Sequence, residues 1–228
     1  DHNRLVVSLC GEPEVICDAL IEAGKVAVAN IDLNTHKGAH PRMGAIDVIP
    51  FTPISGITMD ECVELSHKFA HRYYDELKIP VFYYEASAVR PDRTRLEQVR
   101  KGQYEALKDL VKTDPSRAAD VGDNQLHPTA GGTAIGARKF LVAFNVNLNT
   151  TNVEIAKIIA EELVPDRVAA EIQVQPHLRL AVRDLFRRAD QVLALDVHEF
   201  RESCTCPDEC RIIAVLFKKL IKRRRASN

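Results

Sequence analysis

The chain has 228 residues, of which 46% are hydrophobic and 28% are charged, as is ordinary for a soluble globular protein. Its 31 Lys and Arg residues against 32 Asp and Glu residues give a formal net charge of −1, so no global field favours nucleic acid or a membrane surface. The absence of Trp, and of any apolar run near the roughly 18 residues of a membrane span, argues against an aromatic nucleic-acid platform and against a transmembrane protein.

The first part of the chain alternates between strand and helix patterns. The apolar run RLVVSL at 4–9 predicts a strand, and apolar residues at helical spacing predict a helix over 12–30. A second strand is predicted over 45–54. Pro50 and Pro53 near its end indicate either an edge strand or an early exit from the sheet, because proline cannot donate to a strand ladder.

The middle of the chain continues this alternation. A threonine followed three residues later by a glutamate is a capping-box pattern, which predicts a helix that starts at Thr58 and runs to about residue 77. A third strand is predicted over 81–84. The charged stretch 92–112 predicts a helix in two pieces that are hinged at Gly102.

Regular patterns lapse over 113–136, a connection long enough to indicate a binding or lid loop. Beyond it, the run FLVAFNVNL at 140–148 predicts a strand, and 152–163 has the pattern of an amphipathic helix. The order β-α-β-α-β, then a loop, then β-α fits an open sheet with helices packed on one face.

The last part of the chain, 164–228, is rich in Arg and ends in KKLIKRRRASN. Helices are predicted at roughly 177–193 and 209–224, without a strand that would complete a second sheet. The basic cluster Lys218–Arg225 leaves contact with RNA or anionic lipid open, although terminal basic runs are usually solvated.

The six cysteines of the chain are spread irregularly, which favours reduced thiols over a disulfide framework and predicts a cytoplasmic location. Cys204, Cys206 and Cys210 resemble part of a zinc site. The nearest histidine, His198, has an unusual spacing for the fourth ligand, so incidental cysteines are the favoured interpretation.

The stretch THKGAHPRMGAIDVIP at 35–50 carries the first candidate for chemistry. His40 precedes Pro41, which restricts its backbone, and it has cationic neighbours, so its imidazole is a candidate for proton transfer near neutral pH. The alternative is a surface loop with incidental histidines. Lys37 and Arg42 are candidates for binding an anionic substrate, since Arg pairs with carboxylates through two hydrogen bonds; a solvated charged loop is the alternative.

Two further residues of this stretch leave alternatives open. His36 lies four residues before His40, a spacing that on a helix suits two zinc ligands. Gly38 and Pro41 disfavour a helix there and the glutamate of an HExxH pattern is absent, so we expect no metal. Asp47 lies on the following strand, where it is either a polar residue of the outer face or an orienting partner for an imidazole.

The segment GDNQLHPTAG at 122–131 is rich in turn-forming residues. Its glycines and Pro128 let the backbone approach a flat ligand closely, and His127 again precedes a proline. It is neither a P-loop nor a dinucleotide fingerprint, because no GK[ST] follows the glycines and no strand leads into a helix here. On these residues alone, a plain long loop is the favoured interpretation.

The same residues resemble a known family. The continuous string HKGAHPRMGAIDVIPFTPISGITMDECV, together with HNR, RKGQYEALKDL and LHPTAGGTAIGARKFLVAFNVNL, is similar to the signature of glutamate formiminotransferase, the folate-dependent enzyme of histidine breakdown. The similarity covers about residues 2–163. It runs through loop, strand, turn and helix start, and it is therefore far more specific than a short motif.

This resemblance implies a fold and a domain arrangement. The family has two similar α+β subdomains of ferredoxin-like type, with folate and substrate bound between their sheets. We therefore expect an α+β fold, with a mostly antiparallel sheet and helices packed on one face. Residues 1–137 would form the N-terminal subdomain without its first strand and helix, 138–163 the first strand and helix of the C-terminal subdomain, and 164–228 an unassigned basic tail.

The resemblance also implies a reaction. The family transfers the formimino group from N-formimino-L-glutamate to N5 of tetrahydrofolate, a co-substrate, and releases glutamate. The expected partners are these small molecules, without nucleic acid, membrane or metal. Family members often dimerise and are often fused to a cyclodeaminase, which leaves a homodimer and a cyclodeaminase partner open. The alternative interpretation is a catalytically inactive folate-binding or regulatory remnant of the family.

Site residues follow from the family motifs. The catalytic histidine of the family is the second one in the HKGxHPRMGA loop, which is His40 here. One imidazole would take a proton from N5 and return it to the departing glutamate nitrogen. Lys37, Arg42 and Arg138 are expected to bind the substrate. The folate-binding segment of the family corresponds to Gly122, Asp123, Asn124, Gln125, Leu126, His127, Pro128, Thr129, Ala130 and Gly131.

Overall fold

A computed structural model describes residues 2–140 and 152–155, and the backbone of 212–218. Its strands and helices alternate along the chain, with two short 3₁₀ helices, Pro91–Arg93 and Pro115–Arg117. The elements in chain order are β1 (Leu5–Gly11), α1 (Pro13–Asn30), β2 (Val48–Pro53), α2 (Met59–Leu77), β3 (Val81–Glu85), α3 (Leu96–Val99), α4 (Gln103–Thr113), β4 (Thr133–Ala137) and β5 (Ile212–Lys218).

The five strands form one sheet in the order β1-β5-β2-β4-β3. β4 lies between β2 and β3 and pairs with both in parallel, while β5 pairs antiparallel with β1 and β2. The expected α+β combination of helices and strands is present, but the prediction of a mostly antiparallel sheet is wrong for β2-β4-β3. These three strands run in one direction because the chain returns to the start of the sheet through helices, as parallel pairing requires.

Helix α2 packs on the sheet through aromatic side chains. The ring of Phe69 contacts that of Phe51, with centroids 5.4 Å apart, and the Tyr73 hydroxyl lies 2.9 Å from the Thr133 hydroxyl. Helix α1 packs against α2 at Gly24, where a Cβ atom would lie only 2.4 Å from Leu77. This close approach fixes the spacing of the two helices.

Both faces of β3 are covered. The Tyr83 ring contacts His67 of α2, whereas the guanidinium of Arg93 lies over the Phe82 ring, 5.4 Å from its centroid. Because successive residues of a strand point to opposite faces, the segment after β3 covers the face opposite α2. The prediction that helices pack on one face of the sheet therefore holds for α1 and α2. It does not hold for the segment after β3, which covers the opposite face.

Two local sequence signals are confirmed. The Thr58 side chain accepts the Glu61 N–H, and the Glu61 side chain accepts the Thr58 N–H, so the predicted capping box starts α2. Gly102 has a φ of +86° between α3 and α4, which matches the predicted hinge.

Strand β2 lies inside the sheet, so its interpretation as an edge strand is wrong. The carbonyls of Asp47 and Phe51 accept N–H groups of the β4 segment, both at 3.0 Å. Because residues alternate in the side to which they bond, Pro50 faces β5 instead. The pairing of β5 with β2 begins at Phe51, and the missing N–H of Pro50 therefore costs no ladder bond.

Two short strands contradict the sequence predictions. β4 begins within the stretch 113–136 that was predicted to be irregular. The sequence did not predict this strand, because TAIGA is short, consists mostly of small residues and shows no alternation of polar and apolar residues. β5 lies where a helix over 209–224 was predicted, since a short apolar run such as IIAVLFK fits either structure. The predicted strand 140–148 and helices 152–163 and 177–193 lie outside the described residues, apart from Phe140 and 152–155, of which 153–155 are helical.

Residues 1–139 and 208–228 form one compact unit, and 140–207 form another. The division into 1–137, 138–163 and 164–228 that was inferred from the sequence stays a prediction. Within the described part of the chain, no helix is long and apolar enough to cross a membrane.

Candidate active site

The loop over 31–47 connects α1 to β2 and carries both candidate histidines. It lies beside the segment 122–131. The N–H of Leu33 donates to the carbonyl of Thr129, and the N–H of Ala45 donates to that of Ala130, both at 2.8 Å. The structure therefore brings together the two segments that the sequence identified as candidates.

His40 is half-buried, and both of its ring nitrogens have a partner. Its Nδ1 lies 2.7 Å from the Pro41 carbonyl, and its Nε2 lies 2.7 Å from Nη1 of Arg4. A carbonyl only accepts and a guanidinium only donates, so Nδ1 carries the proton and Nε2 offers its lone pair. This is the tautomer of a neutral imidazole that is able to act as a base at Nε2.

The environment of His40 favours the neutral ring. Burial holds the pKa of His40 below its ordinary value, and the positive charges of Arg4 and Arg100 lower the pKa further. The hydrogen bond to Pro41 and the carboxylate of Asp47 act in the opposite direction. On balance, the environment favours the unprotonated imidazole at neutral pH.

His36 is buried and has a positional role. Its Nε2 lies 3.1 Å from the Asn3 carbonyl, and its Nδ1 accepts the Nε–H of Arg42 at 3.2 Å. Arg42 also donates to the His36 carbonyl, to Gln103 and, with two bonds of 2.7 and 2.9 Å, to the carboxylate of Glu105. All five N–H groups of Arg42 are thus used: two bond His36 within the histidine loop, and three join this loop to α4.

Asp47 is buried just before β2, and its carboxylate joins two other parts of the site. Oδ1 accepts the Met43 N–H at 2.8 Å, and Oδ2 accepts a hydrogen bond from Arg100. Of the two roles left open, that of an outer-face polar residue is wrong, because Asp47 is only 4% exposed. Its effect on His40 is electrostatic, and it fixes Arg100 and the backbone at Met43.

Lys37 and Arg138 lie apart from each other. Lys37 is exposed in the histidine loop, where its carbonyl accepts the side-chain amide of Asn3 at 2.7 Å. Arg138 follows β4, and its Nη1 donates to the Lys139 carbonyl at 3.1 Å. Because β2 and β4 are parallel, the histidine loop enters at the start of these strands and Arg138 lies at their opposite end.

The segment 122–131 is built around a tight turn. The backbones of His127 and Gly131 exchange two hydrogen bonds of 3.0 Å, and Nδ1 of His127 accepts the Ala130 N–H at 3.0 Å. Gly131 has a φ of +72°, and a Cβ there would lie 2.3 Å from the Met43 carbonyl oxygen. Residues 122–125 and Pro128 of this segment are exposed.

A cleft that is open to solvent lies at the histidine loop. The polar side chains that line it are His2, Asn3, Arg4, His36, His40, Arg42 and Asp47. Within the described residues, no group of three or more His, Cys, Asp or Glu side chains is placed to hold a metal ion. The chemistry that the cleft offers is therefore acid–base transfer by an imidazole among cationic side chains.

Comparison with known proteins identifies the family of this chain. A family model for the formiminotransferase domain, N-terminal subdomain, matches residues 1–138 of this 228-residue chain. The chain belongs to the formiminotransferase family. Both the histidine loop and the segment 122–131 lie inside the matched region of this formiminotransferase subdomain.

Curated relatives agree with this assignment. The glutamate formimidoyltransferase of Streptococcus pyogenes serotype M1 is 52% identical over 160 residues, which are 70% of this chain and 53% of that protein. The glutamate formimidoyltransferase of Thermoplasma acidophilum is 42% identical over 165 residues, 72% of this chain and 54% of that protein. The formimidoyltransferase-cyclodeaminase of Rattus norvegicus is 42% identical over 156 residues, 68% of this chain and 29% of that protein.

The chain spans about half the length of the two transferases that it matches. Arg4, Arg100 and Glu105 belong to the candidate site and were not identified as site residues from the sequence. Each lies in a string that carries the family resemblance, HNR or RKGQYEALKDL. The family resemblance was the sequence signal that could have identified these residues. Only the fold reveals that the two segments lie together near His40.

Proposed function

We propose that this chain acts as a glutamate formimidoyltransferase, which moves the formimino group from N-formimino-L-glutamate to N5 of tetrahydrofolate. The observation that carries the proposal is the state of His40: a neutral imidazole with the proton on Nδ1 and the Nε2 lone pair at the cleft. Family membership supplies the substrates, and the imidazole supplies the proton transfers that the reaction needs.

In the proposed reaction, His40 takes up one proton and later releases it. N5 of tetrahydrofolate attacks the formimino carbon, a bond forms between them, and Nε2 of His40 takes the N5 proton. The bond between the formimino carbon and the glutamate nitrogen then breaks, and His40 returns the proton to that nitrogen, so glutamate leaves as an amine. The low pKa of His40 suits this role, because the imidazole starts neutral and readily gives the proton back.

Lys37, Arg42 and Arg138 remain proposed partners of the substrate carboxylates. Arg42 is able to bind a substrate carboxylate only after it releases another one, because its guanidinium already holds the Glu105 carboxylate through two hydrogen bonds. The substrate carboxylate would have to replace Glu105, which is 62% exposed. Lys37→Ala and Arg138→Ala should each raise KM for formiminoglutamate while changing kcat less. Arg42→Ala should raise KM and also lower kcat, because Arg42 holds His36 and joins the histidine loop to α4.

The segment Gly122–Gly131 is the proposed folate-binding segment. Its support is the backbone contact of Thr129 and Ala130 with Leu33 and Ala45, which belong to the loop that carries His40. A folate bound there would lie against a turn held by His127 and Gly131. The proposal includes no metal and takes tetrahydrofolate as a co-substrate.

Several broader inferences accompany the proposal. A ferredoxin-like arrangement, a homodimer, a cyclodeaminase partner and a cytoplasmic location follow from the family and stay predictions. Cys10, Cys17 and Cys62 are free thiols, which fits a reducing compartment.

The test is a transferase assay on the full chain, with release of glutamate and formation of 5-formiminotetrahydrofolate as readouts. His40→Ala should lower kcat by about 10²- to 10⁴-fold, as loss of an acid–base group does. His71→Ala is the matched control, because His71 is exposed on α2 away from the cleft. Folate binding without turnover in the wild-type chain would instead identify an inactive folate-binding remnant, and full activity in His40→Ala would refute the role of His40.

A further inference from the structure

The side chain of Arg4 covers the atom that the proposed reaction needs. Arg4 directly precedes β1, and its Nη1 donates to Nε2 of His40 at 2.7 Å. The Nε2 lone pair has to accept the proton of N5, and a lone pair that already accepts a hydrogen bond is not available to a second donor. His40 therefore lies in the cleft, but the Arg4 guanidinium occupies the Nε2 lone pair that the reaction needs.

We propose that the Arg4 guanidinium leaves His40 for a carboxylate of the glutamate substrate, so that the base is uncovered only when the dicarboxylate is bound. This inference rests on the proposed function and makes Arg4 a specificity-determining residue. The exchange is favourable because a guanidinium forms two parallel hydrogen bonds with a carboxylate, in which both partners are charged, in place of one bond to a neutral imidazole nitrogen.

The backbone before Arg4 is held in place, so the proposed movement is one of the Arg4 side chain. The Asn3 side chain donates to the Lys37 carbonyl at 2.7 Å, and His36 holds the Asn3 carbonyl at 3.1 Å. These contacts fix the backbone of the preceding residue, while the long side chain of Arg4 is able to rotate about its own bonds. Both Arg4 and His40 line the cleft, so a carboxylate that enters it meets the guanidinium beside the imidazole.

The other groups around His40 are fixed by different partners. Arg100 is paired with Asp47, and the His2 ring lies edge-on to the His40 ring, with centroids 6.3 Å apart. Elsewhere in the cleft, Arg42 is paired with Glu105 and also holds His36. Replacing Arg4 leaves these interactions in place, so a change at His40 in such a variant reports on Arg4.

The experiment follows the His40 ring by nitrogen NMR in the full chain, with glutamate as the probe and no folate present. The His40 signals are assigned by their loss in His40→Ala. In the wild-type chain, glutamate should shift the Nε2 resonance and raise the pKa of His40. Arg4→Gln should raise the pKa of His40 before glutamate is added and should weaken glutamate binding by about tenfold or more.

Two variants complete the test. Arg95→Gln removes an exposed arginine paired with Glu97 and should bind glutamate as the wild-type chain does. Arg4→Lys keeps the charge but loses the two-bond geometry, so it should bind glutamate more weakly than the wild type; it is the deciding variant if Arg4→Gln does not fold. Wild-type affinity for glutamate in the Arg4 variants, or no effect of glutamate on Nε2 in the wild type, would overturn the inference. Absence of turnover with both substrates would instead count against the proposed function.

Discussion

The hydroxyl of Tyr104 donates to the side-chain oxygen of Asn34 at 3.0 Å. Tyr104 lies on α4 and Asn34 lies in the histidine loop, so this contact joins the two elements. The same hydroxyl lies 3.1 Å from the carbonyl of Pro128 in the proposed folate-binding segment. One phenol therefore reaches both halves of the candidate site from a buried position.

Replacing Tyr104 should affect activity more than stability. In Tyr104→Phe, Asn34 keeps its bonds to Lys108 and Pro128, so the free energy of unfolding should fall by only about 1 kcal/mol. The two site segments lose a shared anchor, and kcat/KM should fall by about tenfold, because small displacements of reacting groups are costly. Urea unfolding and the transferase assay give the two values. An unchanged kcat/KM would show that the contact does not position the site.

Breaking the buried ion pair between Arg93 and Asp120 should strongly destabilise the fold. The paired atoms are 2.5 Å apart and the side chains are 4% and 7% exposed, and Asp120 also accepts the Tyr83 N–H. Asp120→Ala leaves a buried guanidinium without its carboxylate and should cost about 3–5 kcal/mol in urea unfolding. The matched control Asp92→Ala breaks a pair with Arg90 whose side chains are 55% and 33% exposed, and it should cost about 0–1 kcal/mol. Equal losses would contradict this assignment.

Gly44 should not tolerate a side chain. An added Cβ would lie 1.9 Å from the carbonyl oxygen of Gly132, which is backbone and has little freedom to move. Gly44→Ala should lower the free energy of unfolding by about 1–3 kcal/mol, and it should reduce activity because the histidine loop is displaced from the segment 122–131. Gly11→Ala is the control, since its Cβ would meet only Ile16 at 3.7 Å. A smaller loss in Gly44→Ala than in Gly11→Ala would contradict the prediction.

Acid should loosen the turn at His127. Burial lowers the pKa of His127, and the neutral ring accepts the Ala130 N–H through Nδ1. The unfolded chain therefore binds the proton first as the pH falls, so this stabilisation is present above the ordinary histidine pKa of about 6.5 and is lost below it. His127→Asn keeps an acceptor in a similar place without titrating, so its stability should fall less between pH 7 and pH 5.

The control for this experiment is His71→Asn, at an exposed position of α2. Its free energy of unfolding should depend on pH as that of the wild type does. A wild-type pH dependence in His127→Asn would exclude the proposed role of the His127 ring.

Local sequence signals predicted several elements correctly. The capping box at Thr58 and the hinge at Gly102 depend on backbone conformations that neighbouring residues determine, and both have the predicted form. The helical spacing over 12–30 gave α1 within one residue at its start. The family resemblance, which the family model confirms, rested on one-dimensional strings of residues and needed no fold.

The sequence by itself thus determined the family, helices α1 and α2 and the candidate loop of His40, because these depend on residue order or on contacts a few positions apart. Only the tertiary structure decided that β2, β4 and β3 are parallel, and that Arg4, Arg100 and Glu105 join the site. Arg4 and His40 are 36 positions apart, and Asp47 and Arg100 are 53 apart. Contacts at such separations depend on how strands and helices pack, which no local pattern of residue types records.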